Sequence, residues 1–129
     1  MHLPRQATIL AGTPDHPITI AATPHRVRVT FAGRIVANTT RALSLAEASY
    51  APVMYIPPED VDLTALERTD RKTHCPYKGD ASYYSIRTNG RSAQNAVWSY
   101  EQPIEAVAPI AGYMAFYPNR VDSLEQLPD

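Results

Sequence analysis

Cysteine, lysine and glycine are all scarce in this sequence of 129 residues, and each shortage removes a class of function. A single cysteine, Cys75, excludes an intramolecular disulfide and with it the stapled folds of small secreted domains. Five glycines, none in a G-x-G-x-x-G or G-x-x-x-x-G-K-[ST] run, leave no phosphate-cradling loop. Without G-x-S-x-G there is no nucleophile elbow. The four histidines, His2, His16, His25 and His74, show no paired metal spacing, and His74-Cys75 are adjacent, which suits a strand poorly as a chelating pair. Neither a metal nor a cofactor is expected.

Charge of one sign is also missing. The net charge is −1 and no run of Lys and Arg exists, so nucleic-acid binding by charge alone is excluded. Ten of the twelve basic residues are arginine, with only Lys72 and Lys78 as lysines, a bias read first as composition rather than as anion recognition. No stretch approaches the roughly 18 apolar residues of a membrane span. Met1 to Thr13 lacks the basic start, apolar centre and small-residue site of a secretory signal. A reducing cytoplasm is the expected location, with no membrane partner.

What is present is enough apolar residue, 44%, for one hydrophobic core. Residues 1–15 carry Pro4, Gly12 and Pro14 and little periodicity, and read as a leader draped over the domain or partly disordered. Residues 16–129 read as one domain. Ile18 and Ile20 alternate with Thr19, and Val27, Val29 and Phe31 alternate with polar neighbours, both strand patterns. Ala32-Gly33 turns the chain into Ile35–Ala37. Later, Ser82–Thr88 reads as a strand, Asn89-Gly90 as a two-residue hairpin turn, and Arg91–Trp98 as the return.

The two stretches match. Laying Val27–Asn38 over Tyr84–Asn95 aligns Gly33 with Gly90, Arg34 with Arg91 and Asn38 with Asn95. A second block, Val53–Asp62 over Tyr113–Asp122, aligns Met54/Met114, Pro58/Pro118, Val61/Val121 and Asp62/Asp122. Two ordered blocks with the same hairpin chemistry point to an internal duplication, with repeats over about residues 17–72 and 73–122. Two short helices are expected, one over Asp60–Arg68 with Asp60 as cap, the other from Pro103 until Pro109 ends it. The fold class is therefore mainly β, with two antiparallel sheets as the core.

Chemistry concentrates in Thr73-His74-Cys75-Pro76-Tyr77-Lys78-Gly79, where Pro76 and Gly79 mark a tight turn presenting Tyr77 and Lys78. The turn leads into a strand with Tyr83, Ser85 and Arg87 on one face and Tyr84 and Ile86 on the other. Six of the eight tyrosines lie between Tyr77 and Tyr117, together with the only tryptophan, Trp98. One reading is an aromatic core with hydroxyls at the surface; the other is a concave site lined by rings around one ammonium and a carboxylate. Lys78 can then serve as base, nucleophile or anion anchor, whereas a lone Cys75 is more often a small core residue.

These residues resemble the family known as domain of unknown function 427, sometimes labelled nucleotidyltransferase-like. The resemblance runs through His16-Pro17-Ile18, Arg26–Phe31, Ala37, Arg41 and Glu47, then Tyr55-Ile56-Pro57 and Asp60-Val61. It continues in Cys75-Pro76-Tyr77-Lys78-Gly79, Ala81, Tyr83-Tyr84-Ser85, Trp98-Ser99-Tyr100, Pro103, Ile110-Ala111, Tyr113 and Ala115-Phe116-Tyr117. It implies a duplicated β "tent" of two curved sheets and no established activity. Where the family usually has Phe, this chain has Ile56, which costs an aromatic wall.

Three functions compete. The first is a small-molecule site, for an anionic or carbonyl-bearing metabolite, with Lys78, Glu47 and Tyr83 as candidate catalytic groups. Its ligand-binding residues would be Arg41, Tyr55, Cys75, Tyr77, Trp98 and Tyr100. The alternative is a noncatalytic interaction module, a homodimer joined through a sheet edge or aromatic patch. The third is nucleotidyl transfer through the D-x-D of Asp60 and Asp62, although that pair sits where a helix cap belongs. No residue pair shows a base–nucleophile spacing, so binding and catalysis stay open as alternatives.

Overall fold

A computed structural model describes residues 8–128. Eleven strands follow one another: β1 (Thr8–Thr13), β2 (His16–Ala22), β3 (Arg26–Phe31), β4 (Arg34–Thr39), β5 (Leu43–Glu47), β6 (Val53–Tyr55), β7 (Leu66–Cys75), β8 (Gly79–Thr88), β9 (Arg91–Ser99), β10 (Met114–Phe116) and β11 (Ser123–Leu127). They form three antiparallel sheets, ordered β1-β2-β5-β6, β10-β9-β8-β7 and β11-β3-β4. The fold is mainly β, as its alternating apolar pattern dictates.

Local chemistry places the hairpins. Asn89 and Gly90 have φ of 53° and 77°, both positive, the pair of values a twisted two-residue hairpin needs. Ala32 and Gly33 make the equivalent turn at 53° and 75°. Cys75 faces Gly79 across the β7–β8 hairpin, with the Lys78 amide donating to the Cys75 carbonyl at 3.2 Å. Gly79, at φ 112°, packs where an added Cβ would meet the Pro103 and Ile104 backbone at 3.4 Å. The Ile104 amide also donates to the Lys78 carbonyl at 2.9 Å, so this turn is held from both sides.

Two core clusters result. One joins β3 and β4 to β8, β9 and β10 through Val27, Val29, Val36, Ile86, Val97 and Phe116. The other joins β2 and β5 to the opposite faces of β6, β8 and β10 through Ile18, Ile20, Leu45, Tyr55, Tyr83 and Ala115. Strand alternation divides neighbours between them: Met54 and Ile56 face the first cluster, Tyr55 the second. Ile56 and Met114 exchange backbone hydrogen bonds at 2.8 and 2.7 Å, tying β6 to β10 across the sheets.

Several expectations need correction. There are three sheets rather than two, because Ser123–Leu127 adds to β3 as a further strand. Of the expected leader, residues 1–7 lie outside the described residues, and Thr8–Thr13 pair with β2. The helix expected over Asp60–Arg68 is replaced by 3₁₀ turns at Pro58–Asp60 and Leu63–Ala65, after which Leu66 enters β7. The cap is Asp62, accepting from the Thr64 amide, not Asp60. From Leu66 onward the backbone finds ladder partners in β8, which a short helix could not match. The second expected helix is a kinked 3₁₀ segment, Glu105–Ile110, with Pro109 inside it. Ile56 is wholly buried in the first cluster, so replacing a ring there alters the core rather than an aromatic wall.

A network at the end of β9 sets the acid response. Arg68 grips Glu101 with both nitrogens at 2.8 and 2.9 Å, while Tyr84 and Ser82 donate to it at 2.9 and 3.1 Å. Arg68 above all, outweighing partial burial, pulls the Glu101 carboxyl down to about 2. A carboxylate held below its unfolded value contributes stability above the ordinary carboxylate range and loses it as pH falls through the lowered value. The urea midpoint should therefore decline between roughly pH 4.5 and 2. Glu101→Gln should flatten that decline; an unchanged slope in the variant would assign it to other carboxylates.

Candidate functional site

The held turn between β7 and β8 delivers Lys78 to the end of β5. There its ammonium pairs with Glu47, and the two side chains are only 12% and 16% exposed. The second carboxylate oxygen of Glu47 lies 2.7 Å from His16 Nε2. His16 in turn stacks on Tyr77, ring centres 4.0 Å apart and nearly parallel at 9°. The Lys78 ammonium sits 5.6 Å from the centre of the Tyr100 ring, on its face. Burial alone would raise the Glu47 carboxyl, but the hydrogen bonds from Lys78 and His16 prevail and lower it.

Rings continue from this centre. Tyr55 lies 6.5 Å from Tyr100, accepts a hydrogen bond from the Trp98 indole at 3.2 Å, and meets that ring edge-on. Burial pushes the hydroxyls of Tyr55 and Tyr100 well above the usual phenol range. They remain neutral and act as hydrogen-bonding walls, not as bases. Trp98 packs against Tyr117 at 4.4 Å. Cys75 is half-buried against the same cluster.

Beyond Trp98 and Tyr117 a cleft of about 360 Å³ opens, lined by Arg71, Tyr83, Tyr117 and Arg120 with the amide side chains of Gln94, Asn95 and Asn119. The Tyr83 hydroxyl is 3.0 Å from the Thr73 hydroxyl, and the Arg71 guanidinium lies 5.0 Å over the Tyr83 ring. Burial opposes ionisation of Tyr83, but Thr73, Tyr117 and Arg71 outweigh it and bring its pKa below the ordinary phenol value. Tyr117, mainly through burial and then through Tyr83, is pushed up to about 12.

Residues 19–126 match the family described as a domain of unknown function, DUF427. The chain belongs to that family. No curated protein matches it. Of the residues read from the sequence of this DUF427 chain, the structure brings Lys78, Glu47, Tyr77 and Tyr100 into one contact set, with Tyr55, Trp98 and Cys75 in the adjoining wall. Tyr83 belongs to the same cluster but turns its hydroxyl to the cleft. Arg41 is not part of this centre: its exposed guanidinium grips Asp60 at 3.1 Å.

Sequence reasoning missed His16 as a partner of Glu47, which lies 31 positions away. The signal was its place at the head of β2, whose register sets Ile18 opposite Glu47. It missed Arg71 and Arg120 as well. The D-x-D pair offers no free oxygens, since Arg41 and Thr39 hold Asp60 while Arg34 and Thr64 hold Asp62. Among the described residues no helix is long and apolar enough to cross a membrane.

Proposed function

We propose that this DUF427 chain binds a small polar or anionic metabolite at the aromatic centre around Lys78. One observation carries the reading. The Lys78 side chain is 12% exposed and its ammonium carries three N–H donors, yet Glu47 is its one hydrogen-bond partner among the described residues. A charge on so enclosed a side chain loses part of its hydration, so spare donors are costly unless something else takes them. Half-buried Tyr77, backed by the buried rings of Tyr55 and Tyr100, supplies a surface suited to the apolar body of such a ligand. In this reading Lys78 anchors the anion or carbonyl oxygen, and Glu47 with His16 fixes the ammonium's position.

Pyruvate, succinate and inorganic phosphate, each titrated at constant ionic strength, test this reading. At about a hundredfold excess over its dissociation constant, a ligand stabilises by roughly 2.7 kcal/mol, several degrees in Tm. Lys78→Met keeps the apolar stem and removes the donors, and should abolish the shift. Equal shifts in native protein and variant would sink the proposal.

The same reading includes an internal duplication of the β-tent kind. Supporting it, Arg34 pairs with Asp62 and Arg91 with Asp122, joining aligned arginines to aligned aspartates in each half. Pro58–Asp60 and Pro118–Arg120 are both 3₁₀ turns at the matching offset. The hairpins β3–β4 and β8–β9 share the same positive-φ turn.

A further inference from the structure

The cleft beside Tyr83 is assembled by two irregularities in one sheet. Between the pairs Arg68↔Tyr84 and Lys72↔Ser82, three residues of β7 face Tyr83 alone, and the last of them is Arg71. Between Tyr84↔Val97 and Ile86↔Ala93, three residues of β9 face Ser85 alone, and these include Gln94 and Asn95. Bulges of this kind re-aim side chains that a regular ladder would send elsewhere. Asn95 adopts a left-handed φ of 52°, with its amide donating to the Ser85 hydroxyl at 3.0 Å. Its Oδ1 accepts from Thr69 at 2.6 Å, which leaves Nδ2 as a donor. The turn Pro118–Arg120 brings Asn119 and Arg120 to the opposite rim.

The lining is one-sided in charge. Two guanidinium groups, three amides and two phenols face the cleft, with no carboxylate among them. No carboxylate of the described residues lies within ion-pair distance of Arg71 or Arg120, whereas Arg34, Arg41, Arg68, Lys78, Arg87 and Arg91 each close on one; Arg26, Arg28 and Lys72 are the other described cations that do not. Arg120 spends one N–H on the Gln94 carbonyl at 2.7 Å, which fixes its plane and leaves its other donors without a partner among the described residues. Arg71 is likewise oriented by the face of Tyr83.

We propose that this cleft is an anion site, distinct from the Lys78 centre, that takes a small organic oxyanion on a hydroxyl-bearing body. The two guanidinium groups bind the oxyanion, in the fork geometry that suits carboxylates and phosphates alike. Asn95, Asn119 and Gln94 supply the donors and acceptors for hydroxyls on the body. Tyr83 donates its phenol proton into the same array, a role favoured by its lowered pKa.

Glycerol 3-phosphate and glycerate carry different anions on a small polyol, and glycerol is the neutral control. Their titration into the native chain at fixed ionic strength, followed by amide NMR, should give saturable shifts at the side-chain amides of Asn95 and Asn119 for at least one anion. Glycerol should give none. Preference for the phosphate ester identifies a dianion site, and preference for glycerate a carboxylate site. Arg71→Ala and Arg120→Ala, both at exposed positions, should each weaken binding roughly tenfold or more. Lys78→Met should leave it unchanged, which separates this site from the reading above. Shifts that do not saturate in the native chain, or binding that survives the double arginine variant, would overturn the proposal.

Discussion

Glu47→Ala lowers folding stability by about 2–3 kcal/mol, or roughly 7–12 °C in Tm, because it strands the Lys78 ammonium against the Tyr100 face. The figure lies below the 3–5 kcal/mol typical of a fully buried broken pair, since both side chains keep some contact with water. Lys78→Met costs less, about 1–2 kcal/mol, because His16 still faces Glu47 at 2.7 Å. The double variant Glu47→Leu/Lys78→Met should recover most of the loss. Two desolvated charges chiefly offset one another's hydration, and apolar groups of similar volume fill the same space without that cost. Thermal unfolding of the four proteins measures this cycle. If the double variant is as unstable as the two single losses added together, the pair does not act as a unit. Recovery of stability without recovery of ligand binding would separate what the pair does for the site from what it does for the fold.

Ile56→Ala should be more damaging still, at about 3–4 kcal/mol. Ile56 is fully buried, sits at the junction where β6 meets β10, and packs in the cluster shared by three sheet faces. Truncation leaves a cavity that the surrounding strands cannot close, because Met114 is bound to the Ile56 backbone from both directions. Ile35→Ala is the matched control: the same chemical change at a position 48% exposed should stay within about 1 kcal/mol. Urea unfolding of both variants checks the contrast. An Ile56→Ala cost no larger than that of Ile35→Ala would mean that the junction does not hold the sheets together.

The sequence made legible those features whose causes are local. Asn89-Gly90 declares its turn through two residues that tolerate positive φ, and the Cys75–Gly79 turn through Pro76 and Gly79. Alternation sorted Tyr83 from Tyr84 and Ile86, which do face different clusters. β7 was hidden because its residues, LERTDRKTHC, are polar nearly throughout. An edge strand with solvent on both faces needs no apolar alternation, so it leaves no periodic trace. The partnership of His16 with Glu47 was hidden because it depends on the β2–β5 register, a long-range pairing. Arg41 was misplaced because its proximity to the centre rested on resemblance alone, while the carboxylate of Asp60 was there to hold it. The arginine cleft was least visible of all. It exists only because β7 and β9 each lose register beside β8, and no single residue type announces such an event.

β11 and β3 pair residues from opposite ends of the described chain, Leu124 with Val29 and Leu127 with Arg26. The hairpin β3–β4 therefore cannot complete its sheet by itself. During synthesis it emerges early and keeps an unpaired edge until Ser123–Leu127 leave the ribosome. Closing so long a loop is entropically unfavourable and makes this pairing a slow step. The sheets β1-β2-β5-β6 and β10-β9-β8-β7 can each knit together from strands of one half as they appear, while β3–β4 waits for Ser123–Leu127.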